Sequence, residues 1–334
     1  MRRALALLTI VLLAVGLGPP PARADRADDW RAVSQRALDQ LNVLDTGGTQ
    51  PVTVLAYAAQ ATAWLSSSGW EDPAALAFLT RMYALQNPDG GYGLNYAWDA
   101  HQDGTVNPAN TSYTVTSAGY VAPVLLDAYR HNPAAVPRAL VQQQFDLIAT
   151  MPRIDTSAGR CISYSRHAND AQPGFCVHNV SAGAAGFLLE AGRYGFAVPW
   201  WIVMGIAARE LSALNRTTRF WPYKDSTAPA PQDSDHNSYT IEGMYELAFP
   251  AAYSAAYVAM FAAPDGTAQA PIVYMRLTGL PPAPAAMSGS TTIWCVLGDQ
   301  WRDESDAYVT ANLTNIGRMS QAAYYAARAS KVCA

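Results

Sequence analysis

Apolar residues recur at helical spacing along most of the chain. The stretches DDWRAVSQRALDQLNVL (28–44), PVTVLAYAAQATAWLSSS (51–68) and PAALAFLTRMYALQ (73–86) each begin at a Pro or acidic start signal and end at polar or Gly stops. The same pattern predicts helices at about 112–130, 137–150, 180–194, 199–214, 238–262 with a break at Pro250, 268–278 and 308–330. No run of alternating strand type competes with them, so the expected fold is all-α with ten or eleven helices. The connections alternate in length: long after Gln86, Met151, Asn215 and Leu280, short after Tyr129 and Tyr194. Alternation of this kind puts the long loops on one end of a stack of helical hairpins, and loops that long are usually functional.

The long loops resemble one another. Three times an aromatic, polar stretch runs into a cluster of Asn, His, Ser and Thr and then into an apolar helix: residues 92–129, 162–192 and 220–248. Spaced self-similarity marks a repeat architecture, in which each unit needs its neighbours to bury its face. A fourth, degenerate copy is expected at 293–319, where Asn312 or Asn315 precedes the last helix. In a closed ring of such units the polar clusters would converge on one mouth.

Composition narrows the setting. The segment 1–24 has two arginines, an apolar run from Ala4 to Leu17 and an A-x-A ending at Ala24, which reads as a secretory signal peptide cleaved before Asp25. Residues 25–334 contain no linker of the Pro/Ser/Thr kind, so one domain is expected, secreted and monomeric. Half the residues are hydrophobic, 14% are charged and the formal net charge is -4, with no basic stripe for nucleic acid and no later apolar run for a membrane. Four cysteines in an exported chain favour bridges, and the expected pairs are Cys161 with Cys176, stapling the second loop, and Cys295 with Cys333, tying back the tail. The competing reading makes Cys176, His178 and His236 zinc ligands, but paired short Cys or His spacings are lacking, and neither metal nor cofactor is expected.

QNPDGGYG (86–93) resembles the Q-x-x-D-G-x-aromatic turn of α/α-toroid proteins, among them terpenoid cyclases and several polysaccharide lyases and epimerases. The resemblance implies a toroid of five to six helical hairpins, with Gly90 and Gly91 supplying positive φ at the turn. It covers the architecture of most of the chain and carries no chemistry of its own.

The chemistry must come from the clusters. His236, Asn237, Ser238 and Tyr239 stand where a helix begins, a position whose free N–H groups suit an anion such as a uronate carboxylate. An Asn bonded to that carboxylate would acidify the neighbouring C–H, and Tyr239 or His236 could remove the proton. Sets of His, Asn and Tyr of this kind resemble those of toroid lyases. His178 and Asn179 repeat the arrangement, and Asn110 repeats it with Ala109 in place of His. The plainer reading is that each Asn only caps its helix.

Tyr92, Tyr96, Trp98, Tyr164, Trp221, Tyr223 and Trp294 could stack on sugar rings or cover the core, while Arg166 and Lys224 could hold an acidic sugar. Asp233 and Asp235 resemble the acidic motif of class II terpenoid cyclases, except that His236 stands where that motif has its last Asp; the same two acids could instead be the general acid/base pair of a glycoside hydrolase. The expected function is therefore a lyase or epimerase acting on an extracellular acidic glycan. A terpenoid-cyclase-like enzyme and a non-catalytic glycan- or protein-binding toroid are the alternatives.

Overall fold

A computed structural model describes residues 23–101, 103–215, 221–225, 231–232, 236, 239–240, 243–244, 307 and 309–333. Residues 1–22 of the expected leader, Asp233, Asp235, Asn237, Ser238, the 268–278 helix, Trp294 and the Cys295–Cys333 bridge lie outside the described residues, and so does most of the 238–262 helix.

The chain is mostly helical. Helix α1 is Arg23–Leu44 and α2 is Val52–Leu65, which follows an extended Pro51. Ten residues of α2 are buried, as its nearly continuous apolar sequence requires. Helix α3, Pro73–Tyr83, starts where its sequence says: Pro73 opens the first turn, and the Asp72 carboxylate accepts from the N–H groups of Ala74 and Ala75 at 2.8 and 3.4 Å. Helix α4, Ala122–His131, is entered through a short turn at Thr114–Thr116 and a π-helical turn at Ser117–Val121. Helices α5 (Arg138–Ala149), α6 (His178–Gly192), α7 (Trp200–Ala213) and α8 (Ile316–Cys333) follow among the described residues.

Two expectations need correction. The single helix predicted at 308–330 is interrupted: the chain turns at 312–314, and the Asn315 side chain accepts from the N–H of Arg318 at 3.1 Å to start α8 afresh. The chain also forms a hairpin of β1 (Arg153–Thr156) and β2 (Gly159–Ile162), paired antiparallel with Ile154 opposite Cys161. Four-residue strands are too short to show alternation against a helical background. Gly159 has φ +138, and a Cβ there would sit 2.4 Å from the carbonyl oxygen of Gly205 on α7, so only glycine lets the hairpin dock.

Packing follows chain order. Helix α2 contacts α1 and α3, the π-turn contacts α2 and α6, α5 contacts α4 and α6, and α6 contacts α7. The last helix, α8, lies against α1 and α2, so the two ends of the described chain meet. One connected apolar core runs from Trp30 and Leu41 through Leu55, Leu125 and Phe187 to Tyr325. Among the described residues no helix is long and apolar enough to cross a membrane.

Candidate functional site

The loops before α4 and α6 are built to the same backbone rule. The N–H of Thr114 donates to the carbonyl of Tyr164 at 2.9 Å, and the N–H of His178 donates to the carbonyl of Tyr223 at 3.3 Å. Isolated bridges pair Tyr113 with Ser165 and Val177 with Lys224. Each helix start therefore borrows an acceptor from the next loop, at that loop's tyrosine. This register aligns Tyr113 with Val177, and so Val115 with Asn179. Asn110 is not the counterpart of Asn179, contrary to the sequence alignment of the repeats: it lies in an exposed turn three residues ahead of Tyr113.

The QNPDGGYG turn serves the same end of the molecule. The Asp89 carboxylate accepts from the Gly91 N–H at 3.0 Å and from the Ser112 hydroxyl at 2.6 Å, and the Asn87 amide donates to Ser112 Oγ at 2.9 Å. Gly90 has φ +85 as expected, whereas Gly91 does not have a positive φ. Its hydrogen matters because a Cβ would meet Ser112 at 2.4 Å.

Two buried polar networks hold the loops. His178 is fully buried: its Nδ1 is 2.9 Å from Glu210 Oε2 on α7 and its Nε2 is 3.2 Å from Asp225 Oδ1, while Arg209 pairs with Asp225. Burial disfavours the charged ring, but the two carboxylates outweigh it and hold the His178 pKa up at about 9. Burial also opposes ionisation of Asp225, yet His178 and Arg209 keep its carboxyl below the usual range. Beside it runs the Cys161–Cys176 disulfide, formed as expected.

In the second network Asp170 accepts from Asn107 at 2.8 Å and from Ser165, and lies 3.4 Å from His101 Nε2. The His101 ring stacks on Phe175 at 4.0 Å. Lys224 is taken up here, donating to the His101 carbonyl at 2.9 Å. His178, Glu210, His101, Asn107 and Asp170 are buried while Arg209 and Asp225 are partly exposed, and both networks serve to fix loops.

The open space lies elsewhere. A cavity of about 280 Å³ is lined by Gln60 and Trp64 of α2, Val115, Tyr120 of the π-turn, Asp127 and Arg130 of α4, Asn179, Gly183, Phe187 and Glu190 of α6, Tyr239, and Tyr324 and Arg328 of α8. A second space of about 340 Å³ is lined by residues at the start of α2 (Thr53, Tyr57), at the start of α8 (Asn315, Gly317, Arg318, Ser320, Gln321), and by His236, Tyr120 and Tyr239. Tyr120 and Tyr239 belong to both. We call the two spaces the inner and outer compartments. No residue of α1, α3, α5 or α7 lines either one, so outlying and cavity-lining helices alternate from α1 to α7.

A tyrosine septum divides them. The Tyr239 hydroxyl oxygen lies 3.1 Å from that of Tyr57, 3.4 Å from that of Tyr120 and 3.5 Å from that of Tyr325, and Tyr57 and Tyr325 are 3.1 Å apart. A phenol has one proton to donate and two lone pairs. The π-turn delivers Tyr120 to this point, and such irregular turns are frequent at functional sites.

On the inner side, Trp64 stacks on Tyr324 at 5.3 Å. Asp127 Oδ2 accepts from Gln60 at 2.6 Å and from the indoles of Trp70 and Trp64 at 2.8 and 3.1 Å. Asn179, 7% exposed, lines this space, and its Oδ1 is buried with no hydrogen-bond partner among the described residues.

Of the residues singled out in the sequence, Tyr239, His236 and Asn179 line the cavity, and Tyr223 packs edge-on against His236 with ring centroids 5.0 Å apart. Tyr92 and Trp221 are fully buried and Tyr164 is 9% exposed, so these three are core rather than sugar platforms; the Trp221 indole donates to the Glu210 carbonyl at 2.8 Å. Trp98 is exposed on its loop beside Tyr96, with centroids 5.9 Å apart. Arg166 lies in a separate groove with Asp89 and Asp146 and donates to Thr150 at 3.0 Å.

Tyr57, Gln60, Trp64, Tyr120, Asp127 and Tyr325 were not anticipated. One signal was available: Tyr57, Gln60 and Trp64 lie at i, i+3 and i+7, a polar-edged stripe on an otherwise apolar helix. No family model, curated protein or solved structure matches the chain. The site is accordingly read from its own chemistry.

Proposed function

We propose that the chain is a secreted, monomeric α/α toroid whose central cavity acts on an extracellular acidic glycan, as a polysaccharide lyase or uronate epimerase. The toroid reading is supported by the alternation of cavity-lining and outlying helices and by the meeting of α8 with α1 and α2. The observation that carries the function is the Tyr239 hydroxyl, set among three tyrosine hydroxyls on the wall between two open compartments.

In this reading the reacting sugar lies in the outer compartment. Arg318, with Asn315 beside it, pairs with the uronate carboxylate, replacing Arg166 and Lys224, which are engaged elsewhere. Tyr239 takes the proton from the carbon next to the carboxylate, and the cationic guanidinium stabilises the enolate that forms. In a lyase the electrons then form a C=C bond as the neighbouring C–O bond breaks, with His236 supplying a proton to the departing oxygen. In an epimerase a proton returns to the opposite face. Asn179 and the Trp64–Tyr324 wall receive the adjoining part of the substrate.

Four charged side chains, Asp127, Arg130, Glu190 and Arg328, line the inner compartment and favour a hydroxylated substrate over a terpenoid hydrocarbon. The test is a panel of uronate polymers followed by ultraviolet absorbance, since β-elimination leaves an unsaturated product. New absorbance with one polymer, abolished in Tyr239→Phe, is the expected result. Absorbance unaffected by Tyr239→Phe would remove the assignment.

A further inference from the structure

The Cys161–Cys176 disulfide lies inside a set of metal-ligand side chains. The ligand atoms of Cys161, Cys176 and Asp225 fall within 4.8 Å of one another, and so do those of Cys176, His178 and Glu210. Cys161, Cys176, His178 and Glu210 are fully buried. Four separate elements bring them together: β2 carries Cys161, the start of α6 carries His178 two residues after Cys176, α7 carries Glu210, and the 221–225 loop carries Asp225, whose N–H donates to the Cys176 carbonyl at 2.9 Å.

We propose that in the reduced chain Cys161, Cys176 and Asp225 Oδ1, whose ligand atoms lie within 4.8 Å of one another, hold a zinc(II) ion, and that His178 Nε2, 3.2 Å from Asp225 Oδ1, moves in as the fourth ligand of a tetrahedral site. The disulfide and the metal are then alternative closures of one position. Two thiolates, one imidazole and one carboxylate match the donors and the coordination number of structural zinc.

The surroundings fit that role beyond the ligands. Glu210 holds His178 Nδ1 at 2.9 Å and so directs Nε2 toward Asp225 at 3.2 Å, the carboxylate–histidine arrangement that orients zinc-bound imidazoles. Glu210 Oε1 is buried with no hydrogen-bond partner, as befits a network that is not complete in its oxidised form. Arg209 fixes Asp225 from its other side through Oδ2 at 3.2 Å.

The chemistry balances. A dithiol or phosphine reductant gives two electrons, and with two protons the S–S bond becomes two thiols. Zinc then forms two Zn–S bonds as both thiol protons leave, and any proton on Nε2 leaves as the imidazole binds. A two-electron oxidant such as dioxygen or a small-molecule disulfide takes the electrons back from the two thiolates, re-forms the S–S bond and expels the ion.

The test uses the full chain, unfolded in guanidinium chloride with a phosphine reductant and refolded by anaerobic dilution with zinc or cobalt(II). One equivalent of cobalt should bind, with thiolate charge-transfer absorbance and the intense visible bands of a tetrahedral site, and zinc should raise the Tm of the reduced chain. The oxidised chain should bind none at this position. Glu210→Gln leaves all four ligands in place and should weaken binding by about 10–100-fold, whereas Cys176→Ser should abolish the tetrahedral spectrum.

A reduced chain that folds without taking up cobalt would overturn the proposal. So would failure to refold both with and without metal. Uptake undiminished in Cys176→Ser would assign the metal to Cys295 and Cys333 instead, and would equally overturn it.

Discussion

The buried His178 network and the tyrosine septum are both clusters of polar side chains drawn from several elements, yet they differ in what lies beside them. His178 has a carboxylate on each ring nitrogen and no contact with solvent. Tyr239 and Asn179 border open space, and Asn179 Oδ1 has no partner among the described residues. A buried polar network specifies and rigidifies a fold, while polar groups that line an open cavity are within reach of a ligand. The loop networks are thus read as the frame and the septum as the working surface.

The contrast predicts a graded set of stability effects. Removing His178 leaves the buried Glu210 without its counter-charge, while Asp225 keeps Arg209, so His178→Ala should cost about 3–5 kcal/mol, the cost of breaking a buried pair, measured by denaturant unfolding of the oxidised protein. A cost below about 1 kcal/mol would show that the network is not the frame. Next, replacing Cys161 and Cys176 together by Ala should cost about 3 kcal/mol, as expected for cross-linking a loop with a sequence separation of 15.

A smaller effect should appear with acid. Burial opposes ionisation of Asp170, but His101, Ser165 and Asn107 outweigh it and hold its carboxyl below the usual value. A depressed carboxyl stabilises the fold above its unfolded pKa of about 3.9 and loses that contribution as pH falls through the folded value. Tm should therefore fall more steeply below about pH 4 in the wild type than in Asp170→Asn; identical acid profiles would contradict the assignment. The smallest change is expected at the cavity, where Asn179→Leu removes an amide with an unpaired oxygen and should alter stability by less than about 1 kcal/mol. A loss as large as that of His178→Ala would place Asn179 in the frame.

Most helices were legible because their starts and periodicity agree: Pro51, Asp72-Pro73 and Pro137 each stand at a helix start. The repeated tyrosines were legible as a pattern but not as a purpose. Tyr92, Tyr164 and Tyr223 each lend a backbone carbonyl to the start of a helix, a role any side chain permits, while Tyr92 and Tyr164 fill the core with their rings. Tyr239, His236 and Asn179 could be found because polar residues at a helix start stand out. Tyr57, Tyr120 and Tyr325 could not, since an aromatic at helical spacing reads as core until the helices facing it are known. The equivalence of Asn110 and Asn179 failed for a related reason. Loop lengths differ between copies, and only the bridges Tyr113 to Ser165 and Val177 to Lys224 set the register.

The central claim is that Tyr239 removes a proton beside a carboxylate. Uronate oligosaccharides incubated with the protein in D₂O report it directly, because both elimination and epimerisation erase the proton resonance next to the carboxylate. The account predicts loss of that signal with the wild type and a rate about 10²–10⁴-fold lower in Tyr239→Phe, at nearly unchanged Tm. Equal rates in the two proteins, or a signal that persists across a broad panel of uronates, would contradict it.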